Sequence, residues 1–133
     1  MPLTRRTQRE SALKIHYALI QTIGTYREDT MELTANQYHL ELTDFVRQLV
    51  KVSCERHDEL KTVVWSLAKD PEMIAGLDLL IMIQGMCELE LEHSPPKTII
   101  NEYIELAKLY GADNAFKFVN VILNAFKDRA PHD

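Results

Sequence analysis

Glycine and proline are both scarce in this sequence, four and five residues of 133. That leaves little material for a turn-rich β fold or a disordered tail. No run of about 18 apolar residues occurs, so no segment is built to span a bilayer. The opening, MPLTRRTQRE, lacks the apolar stretch of a secretory signal, and the expected location is the cytoplasm. Cysteine is limited to Cys54 and Cys87, which lie far apart and fit no metal-ligand spacing. In a reducing compartment both read as small buried apolar residues. Positive charge is short as well: 15 Lys and Arg against 20 Asp and Glu leave a net −5. A nucleic-acid partner would therefore have to be met by a local patch rather than by the whole surface.

Catalytic constellations are missing too. There is no glycine-rich phosphate loop, no G-x-S-x-G and no pair of cysteine clusters. Glu90-x-x-His93 has the spacing of a di-iron bundle, but that site needs a second such motif and two further glutamates. Glu88, Glu90 and Glu92 read as a solvated helix end. The expectation is a protein that is not an enzyme and carries no catalytic residue, metal or cofactor.

What is present is the punctuation of an all-α protein. Apolar residues make up 46% of the chain, enough for the core of one domain. Thr7-Gln8-Arg9-Glu10 has the form of a capping box. After it Ala12, Leu13, His16, Leu19, Ile20 and Ile23 share one face at about 100° per residue, until Gly24 stops the run. His16, in the middle of that stripe, reads as a satisfied core or interface histidine. Thr25 to Gln37 reads as a polar link. Apolar patterns follow at Leu42, Phe45, Val46, Leu49 and Val50, then at Leu60, Val63, Val64 and Leu67.

Asp70-Pro71-Glu72 places a cap residue before a first-turn proline and reads as a helix start. It opens the most apolar segment, Met73 to Leu91, expected to be the central buried helix. Ser94-Pro95-Pro96 begins another helix, ended by Gly111, and Asp113 caps a last one bearing Ala115, Val119, Ile122, Leu123 and Phe126. The expected architecture is about six main helices in two halves, 1–69 and 70–133, of a single domain 1–133.

Two places stand out from this helical background. Among the first fourteen residues Arg5, Arg6, Arg9 and Lys14 face a single acid, Glu10. With the helix starting at Thr7, Arg5 and Arg6 are expected on a mobile arm and Arg9 and Lys14 on the helix. Arginine pairs with phosphate through two bonds and stacks on bases, so the arrangement suits RNA. In the last helix Phe118 falls about 100° from the centre of the apolar stripe, beside Lys117. It reads as edge core or as a stacking platform for an unpaired base.

Longer motifs then point to a family. Residues 96–108, PKTIINEYIELAK, resemble the P-K-V-A-I-N-E-A-V-E-L-A-K signature of the NusB family. Tyr110-Gly111 and Lys117-Phe118-Val119-Asn120 continue into its F-G-x-x-x-x-x-K-F-V-N ending. Arg5-Arg6, Arg9-Glu10, Ala12-Leu13 and Tyr17 resemble its R-R-x-x-R-E-x-A-V/L-x-x-L-Y opening.

The resemblance implies an all-helical fold of two small bundles packed together. It also implies a non-catalytic transcription antitermination and elongation factor. Such a protein binds the single-stranded boxA element of nascent ribosomal RNA transcripts together with NusE, a small-subunit ribosomal protein, and joins other Nus factors on RNA polymerase. Carried over residue by residue, Arg5, Arg6 and Arg9 match the arginine-rich arm. Lys14 and Tyr17 match the first-helix RNA face, and Lys117 and Phe118 the last-helix RNA contact.

The central helix departs from the family. Where relatives read L-R-x-A-x-Y-E-L, this chain runs Met82-Ile83-Gln84-Gly85-Met86-Cys87-Glu88-Leu89. An arginine has become Ile83 and a tyrosine Cys87, changes expected to alter the NusE contact. Two other readings remain open. One is an adaptor that keeps a protein partner but has lost RNA. The other is a detached relative of the RNA-binding domain of ribosomal RNA cytosine methyltransferases, since the chain ends at Asp133 with no nucleotide-cofactor domain. Some relatives self-associate, and the methionine-rich central helix leaves a homodimer open.

Overall fold

The computed structural model describes residues 3–129. Among them are seven α-helices and one short 3-10 turn, and no strand. The chain divides into two compact units between His57 and Asp58. The division falls ahead of the Asp70-Pro71 break expected from sequence, within the run that starts α4.

The first unit is built on α1 (Arg5–Thr22), α2 (Glu28–Gln37) and α3 (Asp44–Glu55), with both α2 and α3 packed on α1. The start of α1 differs from the expected one. Thr4, not Thr7, is the N-cap: its hydroxyl accepts the Thr7 N–H at 3.1 Å, and its carbonyl takes the Gln8 N–H at 3.0 Å. Arg5 and Arg6 are therefore helical residues and not a mobile arm. The helix stops where expected, because Gly24 adopts φ +72° and returns its N–H to the Leu19 carbonyl.

Helix α2 corrects the reading of residues 25–37 as a link. It buries only Met31, Thr34 and Ala35, and its N-cap Arg27 supplies no side-chain bond. So short an apolar face carries little periodic signal. Thr43 caps α3 by accepting the Val46 N–H at 3.2 Å, and Phe45, Val46, Leu49 and Val50 enter the core as expected.

The second unit holds most of α4 (His57–Leu67), then α5 (Gly76–Leu91), α6 (Pro96–Tyr110) and α7 (Ala115–Arg129), the last three packed mutually. Pro71 opens only the 3-10 turn Pro71–Met73, and α5 begins later, at Gly76. In α5 every residue from Leu80 through Glu88 is buried. Gly85 makes the close packing feasible, since a Cβ there would stand 2.9 Å from Leu123 Cδ1 and 3.2 Å from Tyr103 Cγ. Proline begins α6 at Pro96, and Gly111 follows its last residue, as the sequence implies. A turn with Asn114 at φ +66° then leads into α7. The turn is anchored by Asp78, whose buried carboxylate accepts the Ala112 N–H at 3.3 Å. Gly111 is required beside it, because a Cβ would collide with Asp78 Oδ1. Among the described residues no helix is long and apolar enough to cross a membrane.

Candidate nucleic-acid interface

The exposed side of α1 carries the chemistry of the first unit. Ala12, Ile15, His16 and Leu19 turn inward and leave Arg6, Lys14, Tyr17 and Gln21 on the outer side, at helical spacing. Half-buried Glu10 is the one acid within that stripe. Tyr17 is 43% exposed, a large ring facing water on a helix whose opposite side is core. In general a lysine or arginine can pair with phosphate and an exposed aromatic ring can stack on a base.

Arg5 and Arg9 lie elsewhere on the helix. Arg9 is only 2% exposed, so its guanidinium is an interior group of this structure and is not presented to solvent like Arg6 and Lys14. Arg5 is exposed, but its Cζ sits 3.9 Å from the centroid of the Phe45 ring on α3. The expected arginine-rich arm therefore resolves into three environments: Arg6 on the solvent stripe, Arg5 against an aromatic ring, and Arg9 inside.

In the second unit Lys117 and Phe118 both lie on the exposed side of α7, while Val119, Ile122, Leu123 and Phe126 fill the core stripe. Phe118 is 37% exposed, and neighbouring Val121 is also open to solvent. The phenylalanine is thus at the rim of the stripe rather than within it, compatible with stacking. The Asp78 anchor of the preceding turn sets where α7 starts. Burial pushes the Asp78 carboxyl above its ordinary range, partly offset by the Ala112 N–H.

Other expectations meet the structure here. Ile83 and Cys87, the departures on the central helix, are 0% and 2% exposed. Both side chains are part of the interior of α5. Glu88 is fully buried rather than part of a solvated end, because Tyr103 on α6 donates its hydroxyl to Glu88 Oε1 at 2.8 Å. Gln84 Nε2 donates in turn to the Tyr103 oxygen at 3.3 Å. Cys54 and Cys87 are buried thiols, as read, and His16 is buried with its ring edge-on to His57 at 6.2 Å.

Among the described residues no three His, Cys, Asp or Glu side chains gather to hold a metal ion. An open groove in the first unit, between Tyr26, Met31, Arg47 and Lys51, carries Glu28 and Asp44 as well, so its charges oppose one another. It offers no convergent set of groups for one ligand. The residue that sequence reasoning missed is Phe45. It was assigned to the apolar face of α3, and its meeting with Arg5, forty positions away in the chain, has no local signal.

The described residues thus form an all-helical protein with basic and aromatic side chains on the open faces of α1 and α7. Comparison with known proteins narrows this class. The model of the NusB family matches residues 6–128. Proteins named transcription antitermination protein NusB are similar over nearly the whole chain. The one from Finegoldia magna is 30% identical over 132 residues, covering 96% of each chain. The one from Bacillus mycoides is 29% identical over 133 residues, covering 95% of this chain and 98% of the relative. The Proteus mirabilis protein is 31% identical over 126 residues, covering 92% of each. This chain belongs to the NusB family.

Proposed function

We propose that this protein is a transcription antitermination factor that works by binding rather than by catalysis. In this reading it takes up single-stranded boxA RNA of nascent ribosomal transcripts together with NusE, in the cytoplasm, and joins other Nus factors on RNA polymerase. Relatives that carry the antitermination name align along nearly the whole chain and support the role. The observation that carries the RNA half is the solvent stripe of α1, where Arg6, Lys14 and exposed Tyr17 stand together in a chain of net charge −5. An acidic protein that concentrates cations and a bare ring on one helix face has a local site for a polyanion with unpaired bases. Lys117 and Phe118 offer the same pair of functions on α7. Arg9, interior here, is not part of that stripe.

Ile83 and Cys87, the departures on α5, are interior residues, so in this reading any effect on NusE would act through the packing of α5. Fluorescence anisotropy of a labelled boxA RNA, titrated with this protein with and without NusE at two salt concentrations, tests the reading. Binding that tightens with NusE and weakens with salt is the expected result. No binding in either condition leaves a NusB-family adaptor that works through protein contact alone.

A further inference from the structure

The first turn of α1 is fastened to the start of α3. Thr43, which caps α3, donates its hydroxyl to Gln8 Oε1 at 2.6 Å, and Gln8 Nε2 donates to the Leu3 carbonyl at 3.3 Å. These bonds tie the residues on either side of Arg5 to the neighbouring helix. In the first turn of α3, buried Phe45 lies beneath the Arg5 guanidinium, 3.9 Å from Cζ to ring centroid, while Arg5 itself stays exposed. A planar guanidinium stacks on aromatic faces, and a ring below it fixes its plane. Phe45 covers one face of the guanidinium, and Arg5 as a residue is exposed.

We propose that Arg5 is a base-stacking platform for single-stranded RNA, backed by Phe45 as a positioning residue. The inference deepens the RNA reading above and rests on it. It separates Arg5 in role from Arg6 and Lys14, whose exposed cations hold phosphate. An unpaired base stacks on the outer face of the guanidinium, giving a layered order of base, Arg5 and Phe45. The ordering of Arg5 is already present in the free protein, so binding loses less side-chain freedom than it would on a loose arm.

The test compares the unaltered protein with Arg5→Lys, Arg5→Ala and Phe45→Leu in anisotropy titrations across a salt series. The RNA is boxA-type, intact or with one abasic nucleotide moved along the strand. Arg5→Lys keeps the charge and loses the plane. It should bind about tenfold more weakly with an unchanged salt slope, and Arg5→Ala should lose at least as much. Phe45→Leu should lose about threefold while the Arg5 charge remains. One abasic position should cost the unaltered protein about tenfold and cost Arg5→Lys nothing further. Arg5→Lys binding as tightly as the unaltered protein, or no abasic position coupled to Arg5, overturns the platform and leaves the RNA reading standing. Failure of the unaltered protein to bind overturns both. If Phe45→Leu does not fold, the Arg5→Lys arm, on an exposed residue, still decides.

Discussion

Helices α1 and α5 differ in how they use their polar residues. In α1 the buried side is offset by a solvent stripe on which Arg6, Lys14 and Tyr17 are exposed. In α5 burial runs unbroken from Leu80 through Glu88, and its polar members are engaged inside the protein. Glu88 accepts the Tyr103 hydroxyl and Asp78 accepts the Ala112 N–H. An exposed charged residue on α1 is therefore a candidate for binding, whereas buried Asp78 and Glu88 on α5 are part of the packing. The departures from the family pattern at Ile83 and Cys87 fall on the helix where they change the interior.

Substitutions that disrupt the interior packing around α5 should cost stability and leave binding by the folded molecule alone, while those on the α1 stripe should do the reverse. The largest effect is expected at Gly85. In Gly85→Val the new side chain would press on Leu123 and Tyr103, and urea denaturation should show a loss of roughly 3 kcal/mol. Tyr103→Phe removes the hydroxyl bonded to buried Glu88, and the same measurement should give about 2 kcal/mol. RNA affinity measured well below the unfolding transition should be unchanged in both. A large affinity loss in either would erase the distinction between the helices.

Tyr17→Ala belongs to the other side of the comparison. It should leave stability within about 0.5 kcal/mol, as expected for an exposed site. RNA affinity should fall about tenfold with no change in salt slope, because stacking and not charge is lost. An altered slope would reassign Tyr17 from stacking to ordering of the nearby cations.

The smallest effect is expected at Asp78, where the sign follows from burial. Its carboxyl is raised above the usual 3.8 in the folded chain. Its contribution to stability is then complete below the unfolded value and is lost as pH climbs through the folded one. Asp78→Asn keeps an oxygen that can accept from Ala112 and cannot ionise. It should be more stable than the unaltered protein at neutral pH, and the gap in Tm should close as pH falls toward the ordinary carboxylate range. A gap that widens on acidification would mean that the ionised carboxylate strengthens the α6–α7 turn more than its burial costs.

The helix ends marked by special backbone chemistry were legible in the sequence. Gly24 stops α1 in a left-handed conformation, Pro96 starts α6 and Gly111 follows it. What escaped were features set by contacts distant in the chain or by weak local signals. Helix α2 has neither a side-chain cap nor a full apolar stripe. Thr4 and Thr7 are both acceptable caps, and the structure uses Thr4, placing Arg5 within reach of Phe45. Glu88 resembled its exposed neighbours because its partner, Tyr103, lies on another helix. The candidate site was readable as residue types on α1 and α7. The separation of Arg5, Arg6 and Arg9 into three environments was not, since adjacent arginines look alike until neighbouring helices surround them.

The measurement that bears most directly on the central claim is the salt dependence of boxA RNA binding by the double variant Arg6→Ala, Lys14→Ala beside the unaltered protein. If the α1 stripe holds phosphate, the slope of log affinity against log salt should fall by about 1.4, at about 0.7 for each cation removed on a single strand, with thermal stability unchanged. An unaltered slope and affinity would contradict the account and move RNA binding away from α1.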